Sequence, residues 1–403
     1  MVTKLPDPEN RRHYPGLDGL RAIAVLMVFE QHYVNNAPEA VWGWMGVRIF
    51  FALSGFLITG ILYDTRNDEK RWSTFYARRA LRIFPLYYGV LLIAAALYPL
   101  CRWQLHETYF LWPVYLQNFA RFLSPTKALG GQIDHLYSGQ YVSPVVRLRM
   151  GHFWSLAVEE QFYLIWPFIV FAVKRRETLM KICVAVCVLC PIIRLICAFT
   201  IPESWLVLGF QERFTFVQFD ALLIGGLFAL WLRGPHPDLT RLAKQLFLAL
   251  AGVFLFSEVF CFQVFHRFLI PTIFKPTFGS IGLSLVDLWG AVLVLLAIDP
   301  STWFSRVLQN RVLRYLGTIS YGFYIYHDLL HDFYARVPLH FHIPDPYAIT
   351  TSLVALICTF IIASVSFYAF ERPILRLKRY FRVGSNRSAD QRSGLDQGTQ
   401  IGA

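Results

Sequence analysis

The chain has 403 residues, 56% of them apolar and only 16% charged, with a formal net charge of +12. Its mean hydropathy is positive, which excludes an ordinary water-soluble globular fold. Apolar runs of ~20 residues, long enough to cross a hydrocarbon layer as a helix, recur along nearly the whole sequence and indicate a polytopic membrane protein.

Hydropathy and breaker residues predict an all-α membrane helical bundle of about ten transmembrane helices, at 16–36, 43–63, 80–100, 153–173, 179–199, 212–232, 244–263, 280–298, 315–335 and 348–370. Residues 1–15 are read as a cytoplasmic N-terminal segment, 16–378 as the transmembrane domain and 379–403 as a polar, disordered cytoplasmic tail. With both termini cytoplasmic, 26 Lys and Arg fall inside and nine outside, while Arg21, Arg48 and Arg194 lie within spans. That asymmetry fits an even number of spans with cytoplasmic ends and accounts for most of the basic excess without a nucleic-acid partner; the expected location is the inner (cytoplasmic) membrane.

The first span, "GLDGLRAIAVLMVFEQHY", carries Asp18, Arg21, Glu30 and His32. An ionisable residue within a span costs roughly 2.5–3.5 kcal/mol on insertion scales and usually faces the bundle interior or a wet cavity. From Arg21 to His32 is eleven residues, three helical turns plus about 20°, so the two share a stripe about 16 Å long. Asp18, three residues before Arg21, is placed to pair with it and orient the helix end. Glu30 lies about 160° from His32 and stays unassigned.

At the cytoplasmic start of the third span, "STFYARRALRIFPLYY" holds Arg78, Arg79 and Arg82. Arg79 and Arg82 share a helical face and have the planar geometry that suits phosphate, although positive-inside anchoring also explains them. The connection 103–151 contains "YFLWPVYLQNF", which either lies along the interface or re-enters. In "GHFWSLAVEEQFYLIWP", His152 and Glu159 share a face and Glu160 points about 100° away. Either carboxylate suits acid–base work or structural pairing with Arg147, Arg149 or Arg213.

The fifth span carries Cys183, Cys187, Cys190 and Cys197 with no His nearby, which reads as small apolar filler. Asp220 in "RFTFVQFDALLIGG" is expected to line substrate or a pore, or to mark close helix packing. "SYGFYIYHDLLHD" places His327 and His331 four apart beside Asp328 and Asp332. With no third ligand at a useful spacing, no metal is expected there, and the stretch reads as an aromatic-rich, polar outer exit.

In order, the stretches "LDGLRAIAVLMVFEQH", "FFALSGFLITGIL", "FYARRALRIFPLYY", "HFWSLAVEEQFYLIWP", "FDALLIGGL", "SYGFYIYH" and "FERPILRLK" resemble the acyltransferase-3 family of integral membrane acyltransferases, which includes O-antigen and Nod-factor acetylating members. The resemblance implies transfer of an acyl group, usually acetyl, from cytoplasmic acyl-coenzyme A to a hydroxyl of a carbohydrate or glycolipid. It puts the family's arginine and histidine, ten residues between them, on Arg21 and His32, and its paired arginines on Arg79 and Arg82. Many relatives have an apolar residue at the position of Glu30. Some carry an extracytoplasmic hydrolase-like domain after the last span; the 25 residues from 379 leave no room for one, so the expectation is a chain that acts alone or with separate glycan-assembly proteins.

Coenzyme A carries pyrophosphate and a ribose phosphate, which basic forks at the cytoplasmic mouth would hold. An imidazole can serve as general base or take the acyl group transiently. The resulting expectation is a membrane O-acyltransferase of envelope saccharides such as lipopolysaccharide, with His32, Glu159 and Glu160 catalytic, Arg21, Arg79 and Arg82 on the donor, and Asp18, His152, Asp220 and His327 lining the substrate path. A transporter or flippase of an acyl group or lipid-linked sugar is the alternative that ten spans and intramembrane charges also permit.

Overall fold

The computed structural model describes residues 14–33, 42–101, 107–123, 148–201, 209–235, 238–265, 276–341 and 349–381. The expected tail disorder and most of the N-terminal segment lie outside the described residues. Every regular element among those described is helical, as hydrocarbon demands of a chain that must satisfy its own backbone N–H and C=O groups.

The main helices are α1 (Pro15–Tyr33), α2 (Trp42–Asp64), α3 (Arg71–Cys101), α4 (Trp154–Ala172), α5 (Arg176–Thr200), α6 (Phe219–Trp231), α7 (Leu239–Phe265), α8 (Pro276–Ile298), α9 (Arg311–Leu329), α10 (His331–His340) and α11 (Ile349–Ser366). Six segments, Gly43–Asp64, Arg71–Leu97, Gly151–Ala172, Arg176–Thr200, Ser280–Ile298 and Ile349–Tyr380, are long and apolar enough to cross a membrane, and α6 is apolar but shorter.

Each of the ten expected segments falls on a helix, with informative differences. α3 starts at Arg71 rather than 80, because the polar run before Arg79 contains no Gly or Pro to stop it. Arg78, Arg79 and Arg82 therefore stand on one continuous helix. The expected 315–335 span breaks at Leu330, whose φ of −102° and ψ of 15° leave the helical region. The break lets Asp332 meet Arg149 Nε at 3.1 Å and lets His331 stack on Tyr33. It also takes His327 and His331 off a shared helix.

The aromatic part of the long connection lies against the bundle, with Leu111 and Tyr115 buried and Phe110 and Val114 exposed. Two 3₁₀ turns, Glu107–Val114 and Gln117–Phe119, are bonded to α3 and α4: Tyr87 and Tyr88 donate to the carbonyls of Trp112 and Pro113, and Gln161 donates to that of Tyr115.

α1 packs against α2, α8 and α9, burying Ala22, Ala24, Val25, Val28 and Phe29. Small residues let the backbones close up, the usual device where lipid removes the hydrophobic drive between helices. A Cβ on Gly317 of α9 would stand 1.8 Å from the Asp18 carbonyl oxygen of α1. From that contact the two helices run in the same direction, which brings His32 and Asp328 together at their C-terminal ends. Replacing Gly317 by alanine must push α1 from α9, since backbone cannot yield as a side chain does. Gly317→Ala is expected to cost about 1–3 kcal/mol, read as a lower thermal midpoint of the detergent-solubilised protein.

Candidate active site

Three histidines converge on one carboxylate at the C-terminal ends of α1 and α9. Asp328 Oδ1 lies 3.5 Å from His32 Nδ1, and Asp328 Oδ2 lies 3.3 Å from His152 Nδ1. The His327 ring centroid is 4.9 Å from each of the other two imidazoles. α1 supplies His32, the 3₁₀ turn Gly151–Phe153 ahead of α4 supplies His152, and α9 supplies His327 and Asp328.

Hydrogen bonds separate the roles of the three rings; tautomers follow from that network. His152 is buried, with the Ile325 carbonyl 3.2 Å from Nε2 and Asp328 3.3 Å from Nδ1 in an ion-pair approach that lacks hydrogen-bond geometry, so an acceptor lies beside each nitrogen. His327 Nδ1 donates to the Tyr324 carbonyl at 2.6 Å, while its Nε2 is buried and unpartnered. His32 turns Nδ1 to Asp328 and keeps 30% of its side chain exposed. Of the three, His32 alone combines exposure with a nitrogen left for a reactant. Tyr324 braces the group by donating to the His152 carbonyl at 2.8 Å, and Tyr33 Oη donates to the His327 carbonyl at 2.5 Å.

A second group lies three turns closer to the N-terminus of α1, about 16 Å by helical rise. Arg21 Nη1 pairs with Asp18 Oδ1 at 3.0 Å. Arg79 sits over the Tyr163 ring, 4.0 Å from its centroid, and Arg82 feels the charges of both Arg21 and Arg79. Glu159 accepts a hydrogen bond from the Ser54 hydroxyl and is acted on by Arg79 and Arg21. The segment 367–380 packs on α3, and there Lys378 faces Arg78, Arg79 and Arg82 while Glu371 faces Arg82. Cations crowd this end of the bundle more closely than mutual repulsion favours, which fits an anionic ligand.

The structure thus divides the expected site residues. It brings His32, His152 and His327 together, and separately Arg21, Arg79, Arg82 and Asp18. Glu159 joins the arginines rather than His32, because seven residues of α4 after His152 carry it about 10 Å inward. Glu160 is within electrostatic reach of Arg79 and Glu159 and of the tyrosines Tyr87, Tyr88, Tyr115 and Tyr321. Asp220 belongs to neither group. It is 2% exposed and held by Arg194 through two bonds of 3.0 and 2.6 Å and by the Ser284 hydroxyl at 2.6 Å. Its oxygens are committed to joining α5, α6 and α8. Asp328 was not singled out from sequence; the available signal was an acid beside His327 in an apolar run.

Residues 14–371 match the acyltransferase 3 family, described as an acyltransferase domain. The chain is 30% identical to the peptidoglycan O-acetyltransferase OatA of Listeria monocytogenes, over 91% of this chain and 56% of that protein. It is also 30% identical to the putative peptidoglycan O-acetyltransferase YrhL of Bacillus subtilis, over 91% of this chain and 55% of that protein. A putative O-acetyltransferase of Staphylococcus aureus is 25% identical over 90% of this chain and 57% of its own length. The chain therefore spans little more than half the length of these curated relatives. No solved structure matches it. With a match running from the start of α1 through the π turn after α11, the chain belongs to the acyltransferase 3 family.

Proposed function

We propose that the chain is a membrane O-acetyltransferase that takes an acetyl group from cytoplasmic acetyl-coenzyme A and places it on a hydroxyl of an envelope saccharide. The observation that carries this reading is the pairing, on one stripe of α1, of Arg21 within a cationic cluster and His32 with a free nitrogen. The likeness to peptidoglycan O-acetyltransferases favours peptidoglycan or its precursors as the acceptor class. In this reading the ten expected segments are ten spans in the inner membrane with both ends cytoplasmic, as the positive-inside count supports. Saccharide-handling proteins at the outer face complete the setting.

The donor's phosphates fit Arg21, Arg79, Arg82 and Lys378, where fork geometry and excess positive charge coincide. Its thioester arm then follows α1 outward to His32. There the His32 Nε2 removes the proton of the acceptor hydroxyl, as a general base within hydrogen-bond reach can. Glu159 balances the arginines, so its role is to set their geometry.

The test uses purified protein with labelled acetyl-coenzyme A and soluble peptidoglycan fragments. Expected are acceptor-dependent release of coenzyme A thiol and a base-labile acetyl ester on the saccharide. Movement of label across a proteoliposome without thiol release overturns transfer and leaves the transporter reading. Arg79→Ala and Arg82→Ala each remove a charge-assisted bond of roughly 1.5–3 kcal/mol. Each is expected to raise KM for acetyl-coenzyme A by about 10- to 100-fold, measured by initial rates at saturating acceptor.

A further inference from the structure

A histidine that works as a base needs its idle nitrogen held, so that the ring presents one tautomer in one orientation. His32 lies at the end of α1, one residue before the end of that helix, and is partly exposed. Asp328 is the carboxylate beside its idle nitrogen, and it is 8% exposed. Its other oxygen lies beside His152 Nδ1, and the far nitrogen of that ring rests against the carbonyl of Ile325, one turn back on α9. Asp328 is therefore pinned from behind through His152, while its free edge meets His32.

We propose that Asp328 is the positioning residue of the transfer centre: one carboxylate oxygen holds His32 by Nδ1, and the other anchors on His152. The inference rests on the acyl-transfer reading above. Held this way, His32 Nε2 takes the proton of the acceptor hydroxyl as that oxygen bonds to the acyl carbon. The carbon–sulfur bond of the thioester breaks, and the proton passes from Nε2 to the departing sulfur. Asp328 keeps its negative charge throughout and faces the imidazolium while it exists. The 3.5 Å separation is long for a hydrogen bond, as in many catalytic pairs without substrate, and tightens when the acceptor is bound.

The assignment also separates His152 from His327. His152 is part of the brace, whereas His327 touches the cluster through ring contact and bonds elsewhere.

Asp328→Asn and Asp328→Glu test it, with acetyl-coenzyme A and peptidoglycan fragments as substrates. Asp328→Asn is expected to lower kcat on the order of 10²- to 10³-fold, with KM for acetyl-coenzyme A within about twofold of wild type, since the arginine site is untouched. Asp328→Glu is expected to recover about tenfold over the asparagine variant while staying below wild type, because the anion returns at altered reach. A residue that only supports the fold would lower the folded fraction and thermal midpoint and leave kcat per folded molecule unchanged; that result overturns the proposal. So does a glutamate variant no better than the asparagine one. Should Asp328→Asn yield no folded protein, Asp328→Glu decides alone: reduced kcat at unchanged KM supports the assignment, and wild-type kcat overturns it. Wild-type turnover with an undisturbed Asp328→Asn removes Asp328 only, whereas absent wild-type turnover removes the acyl-transfer reading on which it rests.

Discussion

His32→Ala is expected to slow acceptor-dependent release of coenzyme A by about 10²- to 10⁴-fold, the usual contribution of a positioned general base. The reason is geometric. His152 has an acceptor at both nitrogens, and His327 donates one nitrogen to Tyr324 and buries the other. Neither can take over proton removal without breaking contacts that hold α4 and α9 in place. Folding should survive the change, because His32 is partly exposed and its one recorded ion pair is with Asp328. Donor affinity should also survive, since the arginines lie three turns away. Normal turnover by this variant, at equal folded concentration, would eliminate His32 as the base. Loss of donor binding together with turnover would instead mean that α1 had moved.

Asp220→Ala is expected to be the most damaging substitution for stability among those considered. Arg194 is fully buried, and its guanidinium is satisfied by both Asp220 oxygens, the Ser284 hydroxyl and the carbonyls of Val217 and Ser280. Removing the carboxylate leaves a buried cation without its counter-ion, and such a break costs about 3–5 kcal/mol. Asp287 cannot fully substitute, because it is already engaged by Arg48 at 3.4 Å. The effect should appear as a large fall in thermal midpoint or as failure to accumulate in the membrane. Replacing both partners, Arg194→Met with Asp220→Leu, removes the unpaired charge and should recover most of the loss. A double variant as unstable as Asp220→Ala would mean that Arg194 matters for its backbone contacts rather than for charge.

The two substitutions mark what could be read along the chain. The Arg21–His32 stripe was legible because it depends on one uninterrupted helix, and the repeat of that helix converts spacing directly into facing. The same arithmetic put His152 and Glu159 on one face, yet they serve different groups. Seven residues are enough to carry Glu159 from the level of the histidines to that of the arginines. Asp220 read equally well as pore lining or packing until its partner, 26 residues earlier on another helix, was placed beside it. The break at Leu330 was not legible because no Gly or Pro marks it.

The sequence by itself determined the class of molecule, the positions of the helices, the arginine pair and the candidate base, because burial in lipid and helical periodicity are local rules. Only the tertiary structure decided which charges meet. Asp328 lies 296 positions after His32 in the chain, and no spacing rule joins them. They come together because Gly317 admits the Asp18 carbonyl and sets α1 alongside α9, so that the C-terminal ends of both helices reach the same level.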